Sequence, residues 1–379
     1  MDAEVAIVGV GTMGSMAAWQ LAKKGVSVIG FEQFGIGNDR TAAGGESRLF
    51  RTAYMEGPEY VPLLQEAKHL WRSLEEASDN NLLTLNGGLM IGESGSLEIN
   101  TIKKSIHDFA LEHEVLEGEQ AKKRYPQFTL YENDVVILDK NAGFLRPELA
   151  VVSAVQQAVK HGAKIKNYTK VNDIVPEKQG ATIVTNEKSY HVEKVIITTG
   201  AWTLKLIPQL KNKLFPRRLL LTWFAPKDVS LVTADKLPIF ARMRGDFRLT
   251  GAPMLDGSMV KASYTKDPSY IDDPSKLYRD ANLEELERIS ESVKTLLPVL
   301  YPDPVRASAY MDAYTPDNHA IVGELPDTSH LIIASGFSGH GFKLSPMIGK
   351  ILSELCIDGK TNYHIQHMKP NRFFEAANF

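Results

Sequence analysis

The sequence predicts an α/β chain with α+β two-domain organisation: a Rossmann-like dinucleotide-binding domain with an antiparallel-sheet substrate domain intercalated into it. Three observations carry this expectation. A strand, glycine turn, helix and second strand occupy residues 5–32. Alternating strand patterns fill residues 215–316. A second glycine-rich strand-to-helix turn arrives only at 336–343. The 379 residues allow two or three domains at roughly 150 residues each. The dinucleotide domain is expected from 1–80, 143–214 and 317–379, and the substrate domain from 81–142 and 215–316.

The elements follow in order. Val5-Ala6-Ile7-Val8 is a continuous apolar run, as expected for a strand buried on both faces. Gly9-Val10-Gly11-Thr12-Met13-Gly14 follows at once and opens a helix that closes at Gly25, a residue suited to a left-handed cap. Val26 to Phe31 is the next strand, ending at Glu32. Val61, Leu64, Ala67, Leu70, Trp71 and Leu74 have helical spacing, with Pro58 at the start. Leu89-Met90-Ile91 reads as a strand after Gly87-Gly88, and 98–128 as helical and polar. Pro147 to Lys160 is a helix; short strands follow at 163–168, 171–175, 181–185 and 195–198. Arg218 to Phe224 and Met259 to Tyr264 alternate, which predicts antiparallel strands, and Asn282 to Leu297 is an amphipathic helix between them and the end of the segment. Leu331-Ile332-Ile333-Ala334 is a last strand before the C-terminal turn and its helix.

Charge and composition exclude several classes. Lys+Arg number 43 against 46 Asp+Glu, a net charge of -3, which gives no field to gather a polyanion, so no nucleic-acid partner is expected. No apolar run approaches the roughly 20 residues of a membrane span, and Met1-Asp2-Ala3-Glu4 lacks an export signal. The single cysteine, Cys356, excludes an intrachain disulfide and any cysteine-based metal site. These readings predict a cytoplasmic protein with no membrane partner. Ten histidines show no HxH or HExxH spacing, so no metal is expected.

The N-terminal turn supplies the clearest chemistry. Gly9 permits the tight turn, Gly11 lets backbone approach a pyrophosphate, and Gly14 permits close helix–strand packing. The phosphates would face free N–H groups at the positive end of the helix dipole. Glu32 would accept hydrogen bonds from both hydroxyls of the adenosine ribose, and would repel a 2′-phosphate. FAD and NAD share this fingerprint; the interrupted chain and the late second turn favour FAD.

The second turn, Gly336-Phe337-Ser338-Gly339-His340-Gly341-Phe342-Lys343, suits close approach of backbone N–H groups to a planar ring, with Lys343 as a cation beside it. The same pattern is open to a plainer reading, an ordinary helix start with Lys343 in solvent. In Ser47-Arg48-Leu49-Phe50-Arg51, either arginine is a buried anion clamp or a surface partner of Glu46. Lys261 is a buried cation or an exposed one, according to which face of its strand it occupies.

Taken together these blocks resemble the bacterial monomeric sarcosine oxidase and N-methyltryptophan oxidase family of FAD-dependent amine oxidases, within the glycine/D-amino acid oxidase superfamily. The resemblance spans nearly the whole chain. It rests on Gly9 to Gly14, on Ser47 to Arg51 with Ala53-Tyr54, on Asn141 to Leu145, on Gly200-Ala201-Trp202, on Thr315-Pro316-Asp317, and most specifically on Gly336 to Lys343. It implies that Arg51 and Lys343 hold the substrate carboxylate, with Tyr54, Thr250 and Tyr310 in the substrate pocket. Lys261 would activate oxygen beside the flavin, and Arg48 would lie near the ring. The residues expected to hold FAD are Gly9, Gly11, Thr12, Met13, Gly14, Glu32, Ser47, Arg48, Val171, Gly200, Trp202, Gly336, Gly339, His340, Gly341, Phe342 and Lys343.

Three departures from the family pattern refine this. Tyr310 stands at the family's flavin-attaching cysteine, so FAD is expected to be non-covalent. Thr250 and Thr265 replace a pocket tyrosine and histidine, and Ala43 and Gly44 replace the histidines of the arginine-bearing loop. Smaller walls there suggest a substrate bulkier than sarcosine. The resulting expectation is a monomeric oxidase that turns a secondary-amine amino acid into an imine, using O2 and giving hydrogen peroxide. The alternatives are a flavin dehydrogenase with another acceptor, an NAD-linked dehydrogenase, and a non-enzymatic flavin-binding protein.

Overall fold

The structure, a computed structural model, describes residues 1–54, 56–264, 269–326 and 328–374. Its strands gather into two large sheets and one small one. Ala3–Val8 lies inside the first sheet, parallel to Val28–Phe31 on one edge and to Ser189–Ile197 on the other. Lys164–Lys166 continues the parallel set beyond Val28–Phe31. Ser189–Ile197 divides its far edge between two neighbours. Its last residues run parallel to Thr328–Ser335, while its first residues pair antiparallel with Ala181–Thr185, which in turn pairs with Val171–Pro176.

The apolar run Val5 to Val8 is buried as a two-faced strand must be. Helices Thr12–Lys23, Pro147–Lys160 and Ser345–Asp358 cover one face, with Met16, Ala17, Ala154, Ile348 and Ile351 in a single core that also takes Trp71 from helix Val61–Ser78. The opposite face packs Ala6, Val8 and Ile29 against Ile183, Tyr190, Leu210 and Leu214.

The second sheet runs Phe215–Phe224, Val260–Tyr264, Phe247–Ala252, Ile239–Arg244, Gly88–Glu93, Asp134–Asp139 and His113–Glu117, with Arg306–Tyr314 along the outer edge of Phe215–Phe224. Its neighbours are antiparallel, as the alternation predicts, except that Gly88–Glu93 and Ile239–Arg244 run parallel. That pair joins two segments separated by more than a hundred residues, so no hairpin dictates its direction. Helix Leu283–Leu296, started by a capping box of Asn282 and Glu285, lays Ile289, Val293 and Leu296 on Phe240, Leu249 and Val260.

Residues 98–128, expected to be helical, instead form helices Leu97–Asp108 and Gly118–Arg124 around the edge strand His113–Glu117. Five residues of weak alternation carry little signal; pairing with Asp134–Asp139 makes them a strand.

Paired residues of an antiparallel ladder share a face. Met90, Ala241, Thr250 and Ser263 therefore line up in one row, and Ala252, Lys261 and Trp223 in the next, all opposite the face that takes helix Leu283–Leu296. Helix Leu97–Asp108 covers this face at Met90 and Ala241 with Ile99, Ile102 and Ile106, while Lys261 meets the 41–51 loop of the first half. A three-stranded sheet of Arg48–Phe50, Gly143–Leu145 and Leu83–Thr84 anchors that loop.

Candidate functional site

A cavity of about 320 Å³ runs from the first glycine turn to the C-terminal one. The turn that opens it is dictated by packing. Gly9 has φ +89°, and a Cβ there would lie 2.7 Å from the Thr198 carbonyl oxygen; a Cβ on Gly14 would overlap the Gly9 carbonyl. Gly11 differs. The nearest protein atom to its absent Cβ is Thr41 Cγ2 at 3.6 Å, so no protein contact requires glycine, and the space it leaves belongs to the cavity. The helix that starts here has no side-chain cap, and the buried Thr12 Oγ1 has no hydrogen-bond partner. Free N–H groups, an orphan hydroxyl and the positive end of a helix dipole fit a diphosphate.

Glu32 lies at the end of the second strand, 5% exposed. Its carboxylate accepts the Val10 N–H at 3.1 Å and the Phe34 N–H at 3.0 Å. Burial raises its pKa while these N–H groups oppose the rise. Each oxygen retains a lone pair for a ribose diol. Phe34, Arg40 and Trp202 enclose this end of the cavity, with Arg40 over the Phe34 ring at 4.7 Å.

Of the residues expected to hold FAD, the cavity brings together Gly9, Gly11, Thr12, Met13, Glu32, Val171, Gly200, Trp202, Gly336, Gly341 and Phe342. Gly14, Ser47, Arg48, Gly339, His340 and Lys343 stand outside its wall. The glycines of the C-terminal turn also have a packing reason. A Cβ on Gly336 would lie 2.7 Å from Thr315, one on Gly339 would lie 2.6 Å from the Tyr314 hydroxyl, and one on Gly341 would overlap Phe337. The turn's own packing already requires them.

Lys261 points inward. It is 8% exposed, and its Nζ donates to the carbonyls of Gly45 (3.2 Å) and Ser47 (2.5 Å). Burial, reinforced by the nearby Arg48 charge, holds its pKa well below the usual lysine value. Neither arginine pairs with Glu46, which binds Arg306 and the Trp223 indole N–H instead. Arg48 donates to the carbonyls of Ala42, Gly44 and Ser47, so it braces the loop from within while Glu148 accepts the Gly45 and Glu46 N–H groups from outside. Lys261, Arg48 and Glu148 together fix the loop's backbone.

Arg51 and Lys343 lie in a second polar cluster. Arg51 donates to Glu56 at 2.6 Å, with its buried Nε unpartnered. Burial opposes its charge, but Glu56 and Tyr54 outweigh this and raise its pKa. Burial would raise the Glu56 carboxyl, yet Arg51 and Lys343 bring it down to about 2. Lys343 is buried, not solvated; it donates to the His340 carbonyl (2.9 Å) and the Tyr54 hydroxyl (3.3 Å), leaving one N–H free. Burial lowers its pKa to about 7. His340 Nε2 faces the Asn318 carbonyl at 3.0 Å and so carries the proton, leaving Nδ1 to accept the Tyr54 O–H at 2.8 Å. Glu56 gave no sequence signal beyond an acid five residues after Arg51.

Tyr310 modifies the expected pocket. Its ring would lie 2.5 Å from a Cβ on Gly44 and 3.5 Å from one on Gly45, so it fills the space those small residues open. The room expected from Gly44 is therefore taken up by Tyr310. Thr250 is half-buried on the same sheet face as Lys261, and Thr265 lies outside the described residues. Asp312, two residues after Tyr310, lines the cavity. It accepts the Gly339 N–H at 2.9 Å, and burial raises its pKa to about 6. Strand alternation in Tyr310-Met311-Asp312 could have found it, because Tyr310 and Asp312 share a face.

Comparison with known proteins matches residues 4–355 to the family described as FAD dependent oxidoreductase. The monomeric sarcosine oxidase of Bacillus sp. (strain NS-129) is 31% identical, over 97% of this chain and 96% of its own. The N-methyl-L-tryptophan oxidase of Yersinia pestis (strain Pestoides F) is 25% identical, over 98% and 100%. Among solved structures, NikD, an amino acid oxidase essential for nikkomycin biosynthesis, superposes with a TM-score of 0.87 over 97% of each chain at 22% identity. Among the described residues no helix is long and apolar enough to cross a membrane.

Proposed function

Because the chain belongs to the family of FAD-dependent oxidoreductases, we propose that it oxidises a secondary-amine amino acid, N-alkylated or glycated, to an imine that water hydrolyses, with O2 reduced to hydrogen peroxide. Relatives named for sarcosine and for N-methyl-L-tryptophan support this substrate class. The observation that carries it is a cavity suited to a dinucleotide in a chain that also buries two cationic groups, Lys261 against the 41–51 loop and Arg51 with Lys343 in the cluster around Glu56 and Tyr54.

FAD, when bound, supplies the acceptor for two electrons from a substrate C–H bond and passes them to oxygen. The protein's residues do the rest. The Thr12 N-terminus and Glu32 would hold the diphosphate and ribose. Arg51 and the third Lys343 N–H would take the substrate carboxylate, displacing Glu56 from the guanidinium and orienting the amine by two-point attachment. A cationic surround favours the free-base amine, the form with the reactive lone pair. Lys261, held by two carbonyls, places positive charge where reduced oxygen gains negative charge. Non-covalent FAD, a monomeric state and the domain division at 1–80, 143–214 and 317–379 against 81–142 and 215–316 belong to the same reading.

Anaerobic mixing with N-substituted amino acids tests it. The expected result is bleaching of the flavin by at least one carboxylate-bearing secondary amine, with recovery in air and one peroxide formed per cycle. Flavin that no such amine reduces would overturn the substrate class; flavin that reduces but recovers only with an artificial acceptor would make the protein a dehydrogenase.

A further inference from the structure

Behind the Tyr54–His340–Lys343 network lies a second cluster that the oxidase reading does not use. Glu59 in the turn Pro58–Tyr60, His319 just before strand Ile321–Leu325, and His367 in the turn Gln366–Met368 come from three distant parts of the chain. Each offers one ligand atom, and all three atoms lie within 4.8 Å of one another; His319 Nε2 and Glu59 Oε1 are 3.9 Å apart. Both ring nitrogens of His367 are buried and lack any hydrogen-bond partner, an arrangement that folding disfavours unless something else takes them up. The Tyr60 hydroxyl meets His319 Nδ1 at 2.9 Å, which leaves Nε2 as the ligand atom and supplies the outer partner that metal-bound imidazoles use. The Tyr60 ring also stacks on His319 at 5.8 Å and stands edge-on to His367 at 4.9 Å, fixing both imidazole planes. Gly57 leaves room for the Glu59 carboxylate to fold back, since a Cβ there would lie 2.5 Å from it. The nearby Arg372 donates to the His319 carbonyl but is paired with Asp317 through two nitrogens, so its charge is balanced.

We infer that Glu59, His319 and His367 form a binding site for a borderline divalent transition metal such as Zn2+. Two imidazoles and one carboxylate select such an ion over Ca2+ or Mg2+, with water completing the coordination. Tetrahedral bonds of about 2.0–2.1 Å set ligand atoms roughly 3.3 Å apart, so atoms now within 4.8 Å of one another must close by up to about 1.5 Å, within reach of rotation in the partly exposed Glu59 and His319 side chains. The metal staples the C-terminal segment to the turn that follows Arg51, one ring removed from His340.

Calorimetric titration of the EDTA-treated holoenzyme with Zn2+ tests the site. The expected result is one equivalent bound, with Glu59→Gln and His367→Gln each weakening binding at least about tenfold, and Zn2+ raising the melting temperature of the native chain but not of His367→Gln. Co2+ should give d–d bands to the red of the flavin absorption, lost in the same variants. Failure to bind Zn2+, or equal binding by the native chain and both variants, would overturn the assignment. The flavin spectrum reports folding in every variant, so loss of the site is separable from loss of the cofactor.

Discussion

Lys343 is a cation whose charge depends on its burial. With its pKa brought down to about 7, the ammonium is lost as pH rises through neutrality, and its share of carboxylate binding goes with it. The dissociation constant of a carboxylate inhibitor should therefore rise between pH 7 and 9, by up to about tenfold per unit where the neutral form dominates. Arg51 stays charged throughout, so binding should level off without vanishing. In Lys343→Met the slope should be gone; a slope that persists would assign it to another group. Lys261 separates the two half-reactions. Lys261→Met should slow flavin reoxidation by about a hundredfold or more while leaving reduction nearly unchanged. Equal slowing of both would reduce Lys261 to its structural task, holding the carbonyls of Gly45 and Ser47.

At the scale of the element, the first glycine turn makes two opposite demands. Gly14→Ala forces a methyl into the Gly9 carbonyl and should lower stability by at least about 2 kcal/mol, because backbone cannot yield as a side chain can. Gly11→Ala meets nothing nearer than 3.6 Å in the protein, so the apoprotein should melt within about 1 °C of native, as for a substitution away from any strained contact. Its FAD affinity should still fall, since the methyl occupies cavity. Thermal melts with and without FAD distinguish the two: loss of apoprotein stability in Gly11→Ala would show that its glycine serves the fold.

At the scale of the whole molecule, the cavity is lined by residues from 8 to 342, and the lone cysteine is not among them. Cys356 is buried in the last helix, where burial pushes its thiol up to about 11, so it is neither placed nor ionised for attachment. Acid precipitation should leave a colourless pellet and all the flavin in the supernatant. Colour that stays with the protein would require a covalent link through some other side chain.

The βαβ unit, the Glu32 acid and the late glycine turn were legible because each is a local pattern whose backbone geometry depends on neighbours in sequence: φ > 0 at Gly9, an uncapped helix start, period-2 and period-3.6 burial. The inward direction of Lys261, the bracing of the loop by Arg48 and the Arg51–Glu56 pair were not, since each depends on which sheet face meets which loop. The space left by Gly44 and the ring of Tyr310 lie 266 positions apart, and only the folded chain shows that one fills the other. Local sequence thus determined the dinucleotide fold and the chemical types at the site. Tertiary structure decided which cations are buried, what faces them and where room remains, because burial and charge–charge energies depend on distances in space and not along the chain.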